Sequence, residues 1–338
     1  MDKGDQNPAA TLLDLVNGFR VSQAIHVAAT LGIADLLEKG PQRVEDLAAA
    51  TRAHPRSLYR LLRALASVGV FREDADRRFA LTEIGDCLRF DAPEPVGPWA
   101  LYIGQPEYWH AWGQLLHSVR TGENAFHRIH GMSAWEYRAR NPAAGEIFDR
   151  GQTSHSRRAA ESVIKAHDFA RFGCVVDVGG GQGALLAGIL GKHLSMRGVL
   201  FDQPHVVAGA GQVLQAAGVA GRCQVVGGDF FETIPDGGDA YVLKSILHDW
   251  EDELATSILR TCRRAMGPNG KLLVIEREIS PPNEGAGSKF GDLNMMVILG
   301  GRERTREEWA TLFAGSGFRM VGVTPTDAGL SIIEGVPG

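Results

Sequence analysis

Up to about residue 165, apolar residues recur every three or four positions, the spacing of one helical face. Residues 12–38 carry such a run, and Gly40-Pro41 stops it. Residues 57–68 place Leu58, Leu61, Leu62, Leu65 and Val68 on one face. Two short apolar segments, ending at Phe71 and Leu81, flank the polar turn Glu73-Asp74-Ala75-Asp76, the pattern of a small hairpin. Residues 44–82 therefore read as helix, turn, helix and hairpin, the outline of a winged helix. Residues 99–165 are helical again and rich in aromatic side chains.

Beyond residue 170 the period changes. Short β-rich runs at 174–178, 198–202, 223–226, 240–244 and 271–276 alternate with helical stretches, and 318–324 and 330–334 follow as two more strands. Such alternation implies βαβ units and a mostly parallel sheet covered by helices. We read an α/β, Rossmann-like domain over 166–338, a helical connector over 99–165 and a winged-helix-like unit over 1–98.

Composition narrows the functional classes. Of 338 residues, 44% are hydrophobic and 22% charged, ordinary for a globular enzyme. The net charge of -5 gives the whole chain no pull towards nucleic acid or an anionic membrane. No apolar run is long enough to span a bilayer, and the first residues lack the apolar core of a signal peptide. Cys87, Cys174, Cys223 and Cys262 show no paired spacing, which argues against a zinc or redox motif. Cys174 and Cys223 fall in runs that read as buried strands. His127 and His130 lack neighbouring acidic or cysteine partners, so no metal is expected. These features indicate a cytoplasmic protein.

The run Val175-Val176-Asp177-Val178 enters a turn with Gly179, Gly181 and Gly183, then a helical stretch. Glycines at such a turn let the backbone bend sharply and approach a ligand. Gly179, Gly181 and Ala184 also satisfy the dinucleotide fingerprint, so the turn alone indicates only a nucleotide. Asp177 separates the cases. Its carboxylate suits the cationic methionine portion of S-adenosylmethionine and would repel a pyrophosphate. Asp202, ending the next strand, can accept ribose hydroxyls; Asp229 and Phe230, ending the third, can take an adenine amine and ring. Asp202 and Asp229 are equally the residue type of helix caps and turns.

Lys244 ends the fourth strand, and His248 follows at the mouth of the same cleft. An imidazole with a pKa near 6.5 is a competent base at neutral pH. A carboxylate on its other nitrogen would fix the tautomer, and Glu276 or Glu303 can provide it. Asp249, Asn294, Trp135 and Met295 are candidates to contact a substrate. Trp99, Tyr102, Trp109, Phe126, Met132 and Met296 are further candidates to clamp a flat one, although each alone is as readily core or interface packing.

The segments VVDVGGGQGALL, LFDQPHVV, GGDFF, VLKSILHDW and GGRERT occur in the order found in plant caffeate and isoflavone O-methyltransferases. The chain resembles that family over nearly its whole length, and its bacterial antibiotic- and phenazine-methylating members most. The resemblance implies S-adenosylmethionine held by Gly179, Asp202, Asp229, Phe230 and Lys244, a catalytic base at His248, and flanking acids at Glu276 and Glu303. It also implies an intertwined homodimer through the N-terminal unit and a small aromatic substrate. Ser280 stands where many relatives carry proline.

The implied reaction is methyl transfer to a hydroxyl. A heteroaromatic ring nitrogen, as in a phenazine, is the alternative acceptor. Other readings are a winged-helix regulator with a ligand-sensing domain, a nicotinamide oxidoreductase through the shared glycines, and a family member that binds the cofactor but does not methylate.

Overall fold

The first apolar run forms two helices where its spacing predicts one. Pro8–Thr30 and Ile33–Leu37 are separated at Gly32, whose φ of 63° is left-handed and ends the first helix. The computed structural model describes residues 7–338, and the chain divides into two units between Trp109 and His110.

In the first unit, strand β1 (Gln42–Arg43) leads into helices Val44–Thr51 and Pro55–Ser67, then β2 (Phe71–Glu73) and β3 (Arg78–Leu81). The three strands pair antiparallel in the order β1-β3-β2. The Asp74 carboxylate accepts from the N–H groups of Asp76 and Arg78 and closes the hairpin turn. Leu47, Leu58, Leu62, Leu65, Phe71 and Phe79 form the core. Full burial stabilises each such side chain by about 1.5–3 kcal/mol.

The second unit begins with short helices and the long helix Pro142–Ala166. A seven-stranded sheet follows: β4 (Cys174–Val178), β5 (Arg197–Asp202), β6 (Cys223–Gly227), β7 (Ala240–Lys244), β8 (Lys271–Glu276), β9 (Phe318–Pro325) and β10 (Ser331–Pro337). Their order is β6-β5-β4-β7-β8-β10-β9, parallel except that β10 runs antiparallel to β8 and β9. Alternation along β4 sends Val175 to one helical layer, with Leu186 and Val163, and Val176 and Val178 to the other, with Ile258 and Trp309. This is a doubly wound, Rossmann-like fold. The strand order reverses between β4 and β7, where folds of this kind bind ligands.

The two strand cysteines are half-buried, where the apolar runs predicted full burial. Cys174 opens β4, and Cys223 opens β6, which lies at the sheet edge and shows its side chains to solvent. Among the described residues, no helix is long and apolar enough to cross a membrane.

Candidate active site

A cavity of about 690 Å³ opens at the C-terminal ends of β4, β5 and β7, within the size range of cofactor sites. The glycine turn forms its floor. Gly179, Gly181 and Gly183 all hold positive φ (69°, 61° and 82°), which side chains resist. A Cβ on Gly179 would stand 2.4 Å from Ile246 Cδ1, whereas one on Gly181 would meet nothing within 4 Å. Gly179 is thus required for packing, and Gly181 leaves its backbone open to the cavity.

Asp177, Asp202 and Asp229 all line this cavity. Asp177 is buried, and its Oδ2 has no hydrogen-bond partner among the described residues. Burial pushes its pKa up to about 7, opposed by the Lys244 ammonium. Asp202 accepts from Gly181 N at 2.8 Å and Gln203 N at 2.7 Å, and Asp229 accepts from Phe231 N at 2.8 Å. The turn-forming and ligand-facing readings of these two acids therefore hold together. A carboxylate offers more acceptor sites than these bonds use. Lys244 is buried in the cavity wall and donates to Ser245 Oγ at 3.1 Å.

Aromatic rings close the other wall. Phe230 stands edge-on to Phe231 at 5.0 Å and to Trp250 at 6.2 Å. Trp250 stacks on Trp135, centroids 6.2 Å apart and planes within 17°. Sequence reasoning did not single out Trp250; its place directly after the His248-Asp249 pair was the available signal. It also missed Arg138, whose guanidinium lies 3.6 Å over Phe148 and 4.9 Å over Trp135, and Asp149, whose pKa burial raises to about 6. All three line the cavity.

His248, Glu276 and Glu303 come together beneath the cavity, each almost wholly buried. His248 Nδ1 lies 2.9 Å from Glu303 Oε1 and 3.4 Å from Glu276 Oε2, and its Nε2 lies 3.3 Å from Asp249 Oδ1. Asp249 reaches the cavity lining; His248 does not. Burial alone would lower the imidazole pKa, but Glu276, Glu303 and Asp249 outweigh it and carry the group up to about 10. Burial raises Asp249 to about 7, with the His248 cation opposing. The donor atoms of His248, Glu276 and Glu303 lie within 4.8 Å of one another, close enough to share an ion. Here those atoms form the imidazole–carboxylate contacts.

The two glutamates act differently. Glu303 meets the ring. Glu276 Oε1 accepts from the backbone N–H groups of Ile246, Leu247 and His248 at 2.9, 2.9 and 3.4 Å. It caps a turn that starts with Ser245 in the left-handed region, φ 56°.

The weaker substrate candidates separate. Trp135 and Asp249 line the cavity. Asn294 and Met295 do not: Asn294 Oδ1 accepts from the Trp112 indole at 3.1 Å, and Met295 is buried at the start of a π-helical turn, Met295–Leu299. Trp99 and Tyr102 belong to the first unit, where their rings pack together, and Phe126 packs edge-on against Tyr137.

An unpartnered buried carboxylate oxygen, an open glycine, two strand-end acids with spare acceptor capacity and a wall of rings suit a nucleoside with a cationic tail. Residues 112–319 match the O-methyltransferase domain model, and residues 13–89 match the O-methyltransferase dimerisation domain model. The chain belongs to the O-methyltransferase family. This methyltransferase is 45% identical to a phenazine O-methyltransferase of Lysobacter antibioticus over 97% of this chain and 96% of that one. It is 38% identical to an 8-amino-8-demethylriboflavin N,N-dimethyltransferase of Streptomyces davaonensis, over 93% and 91%. Among solved structures it resembles an O-methyltransferase from neocarzinostatin biosynthesis in complex with S-adenosylmethionine and 2-hydroxy-5-methyl naphthoic acid. That likeness has a TM-score of 0.78 and 36% identity, covering 94% of this chain and 96% of that one. S-adenosylmethionine is the cofactor of this methyltransferase.

Proposed function

We propose that the protein methylates a hydroxyl of a small aromatic secondary metabolite, with His248 as the general base. The observation that carries this reading is the buried chain Glu303–His248–Asp249, which starts from an orienting carboxylate and ends at the cavity wall. When bound, the cofactor supplies an electrophilic methyl group on a sulfonium whose leaving group is a neutral thioether. The residues must therefore align the acceptor and take its proton. Alignment contributes up to about 7–11 kcal/mol and a general base about 10²–10⁴ in rate.

In this reading Asp177, Gly179 and Gly181 hold the methionyl portion, Asp202 the ribose, and Asp229 and Phe230 the adenine. Lys244 closes that side of the cavity. Asp249 and Trp135 meet the substrate; Asn294 and Met295 stay as outer supports of the pocket. Glu303 fixes the imidazole, and Glu276 fixes the turn that carries it. A neutral His248 takes the phenolic proton by way of Asp249, the member of the chain that reaches the cavity, and the surrounding carboxylates stabilise the imidazolium that forms. Because the surrounding carboxylates raise the imidazole pKa to about 10, the neutral base is the minor form at neutral pH and its share grows as pH rises.

The domain reading follows. Residues 1–98 serve dimerisation, 99–165 line the substrate side and 166–338 bind the cofactor. In helix Pro8–Thr30, Leu12, Leu13, Leu15, Val16 and Phe19 are each more than half exposed, a face suited to a second copy of the chain. Four unbridged cysteines support a cytoplasmic setting.

The test is His248→Ala, assayed with labelled cofactor against phenols, naphthoates, quinones and phenazines, with S-adenosylhomocysteine affinity measured by calorimetry. Affinity should survive while O-methylation falls at least about a hundredfold. Normal turnover would reject the base. The dimethyltransferase relative supports a second reading, methylation of nitrogen. A ring nitrogen has no proton to lose, so turnover of a phenazine that survives His248→Ala would favour it.

A further inference from the structure

Arg304 is the largest charged side chain in the interior, 0% exposed, and it touches neither the cavity nor the imidazole. Its Nε donates to Asp252 Oδ1 at 2.9 Å. Nη1 donates to the carbonyls of Leu247 and Arg302 at 2.9 and 3.3 Å. Nη2 donates to the Trp250 carbonyl at 2.9 Å and pairs with Asp252 at 2.7 Å. The guanidinium lies 5.2 Å over the Trp309 ring, and the Arg304 carbonyl accepts from Ile279 N at 3.0 Å, just beyond β8.

The carbonyls of Leu247 and Trp250 bracket the pair His248 and Asp249. Glu276 takes the N–H groups of this turn, and Arg304 takes its carbonyls. Three residues upstream, Gly301 meets the same turn: a Cβ there would stand 2.2 Å from the His248 carbonyl oxygen and 2.3 Å from the Asp249 carbonyl carbon. The segment from Gly301 to Arg304 is thus a mould for the turn, and it also carries Glu303.

We propose that Arg304 is a positioning residue for methyl transfer: by clamping the carbonyls on either side of His248 and Asp249, it holds the imidazole between Glu303 and Asp249. A buried, unpaired guanidinium would be costly, so the clamp is tied to its full set of acceptors. Lysine keeps the charge but loses the planar fork. The proposal rests on the base role of His248, and the closing experiment separates the two.

The experiment is a double-mutant cycle on the full-length enzyme with Arg304→Lys and His248→Ala, using labelled cofactor and a phenolic acceptor. Arg304→Lys should lower kcat about ten- to a hundredfold, the cost of a small misplacement, with KM and S-adenosylhomocysteine affinity nearly unchanged. In the His248→Ala background the same substitution should cost nothing further, because it acts through His248. An unchanged kcat, an equal loss in both backgrounds, or a matching loss of S-adenosylhomocysteine affinity would each overturn the proposal. If His248→Ala itself keeps full turnover, the base reading fails, and the positioning role fails with it. If Arg304→Lys does not fold, Asp252→Asn takes its place. That side chain is largely exposed, and its change should lower kcat about two- to fivefold in the parent only. No change in kcat on Asp252→Asn would overturn the clamp.

Discussion

Two groups of acids sit at the same edge of one sheet and are used in opposite ways, the first running from buried Asp177 to exposed Asp229 and the second wholly buried. At the cofactor end, Asp202 and Asp229 bond neighbouring backbone N–H groups and still line the cavity, and Asp177 keeps an oxygen without a partner. At the reacting end, Glu276 and Glu303 are turned inward on His248 and its turn, away from the cavity. The first group uses part of its acceptor capacity on the fold and leaves the rest facing the cavity. The second spends its charge on one imidazole. Asp249 belongs to both, touching His248 on one side and the cavity on the other.

The contrast breaks most sharply at His248. His248→Ala should lower turnover of a phenol with ordinary pKa by about 10²–10⁴. The loss should shrink for acceptors acidic enough to ionise unaided. A flat loss across a series of graded phenol pKa would refute proton removal. The pH profile sharpens the same point. A pKa raised to about 10 keeps the imidazole cationic below that pH. For a fixed acceptor, kcat should therefore climb as pH rises from 7 towards 10, and the His248 contribution to that climb should vanish in the alanine variant.

Next in size is the division between the glutamates. Glu276→Ala strips the acceptor from three backbone N–H groups and leaves the His248 cation short of a partner. It should lower unfolding stability by about 3–5 kcal/mol in urea titrations. Glu303→Gln keeps a hydrogen-bond acceptor and should cost turnover far more than stability. Equal stability losses would show that the two acids share one role.

At the cofactor end the effects are smaller. Asp177→Asn should weaken cofactor binding about tenfold at pH 8. Because burial raises the Asp177 pKa to about 7, its charge is present above that pH and lost below it. The penalty measured by calorimetry should therefore fade by pH 6. Asp229→Ala should cost about fivefold in affinity, since Asp229 is exposed and water competes for the one hydrogen bond it would give the adenine amine. A larger loss from Asp229 than from Asp177 would invert the ranking.

The sequence by itself determined the parallel sheet, the glycine turn and the acids at successive strand ends. These are local matters: a strand needs its apolar run, a sharp turn needs glycine, and strand ends at a switch point face one cleft. Strand limits agree with the alternation to within a few residues, as for β4, β7 and β8. The helix break at Gly32 was less legible, because a glycine inside an apolar period marks an end only when its φ turns positive. The sequence also put His248, Glu276 and Glu303 on one list. It left open which glutamate meets the ring, because they lie 28 and 55 residues from His248 and only the packed sheet sets their directions. The same holds for Trp250 against Trp135, for Asn294 on the Trp112 indole and for Arg304 on the turn. Each is a contact between distant segments. Local propensity carries no information about such pairs, and the tertiary structure decides them by which side chains can fill one buried space with every polar group answered.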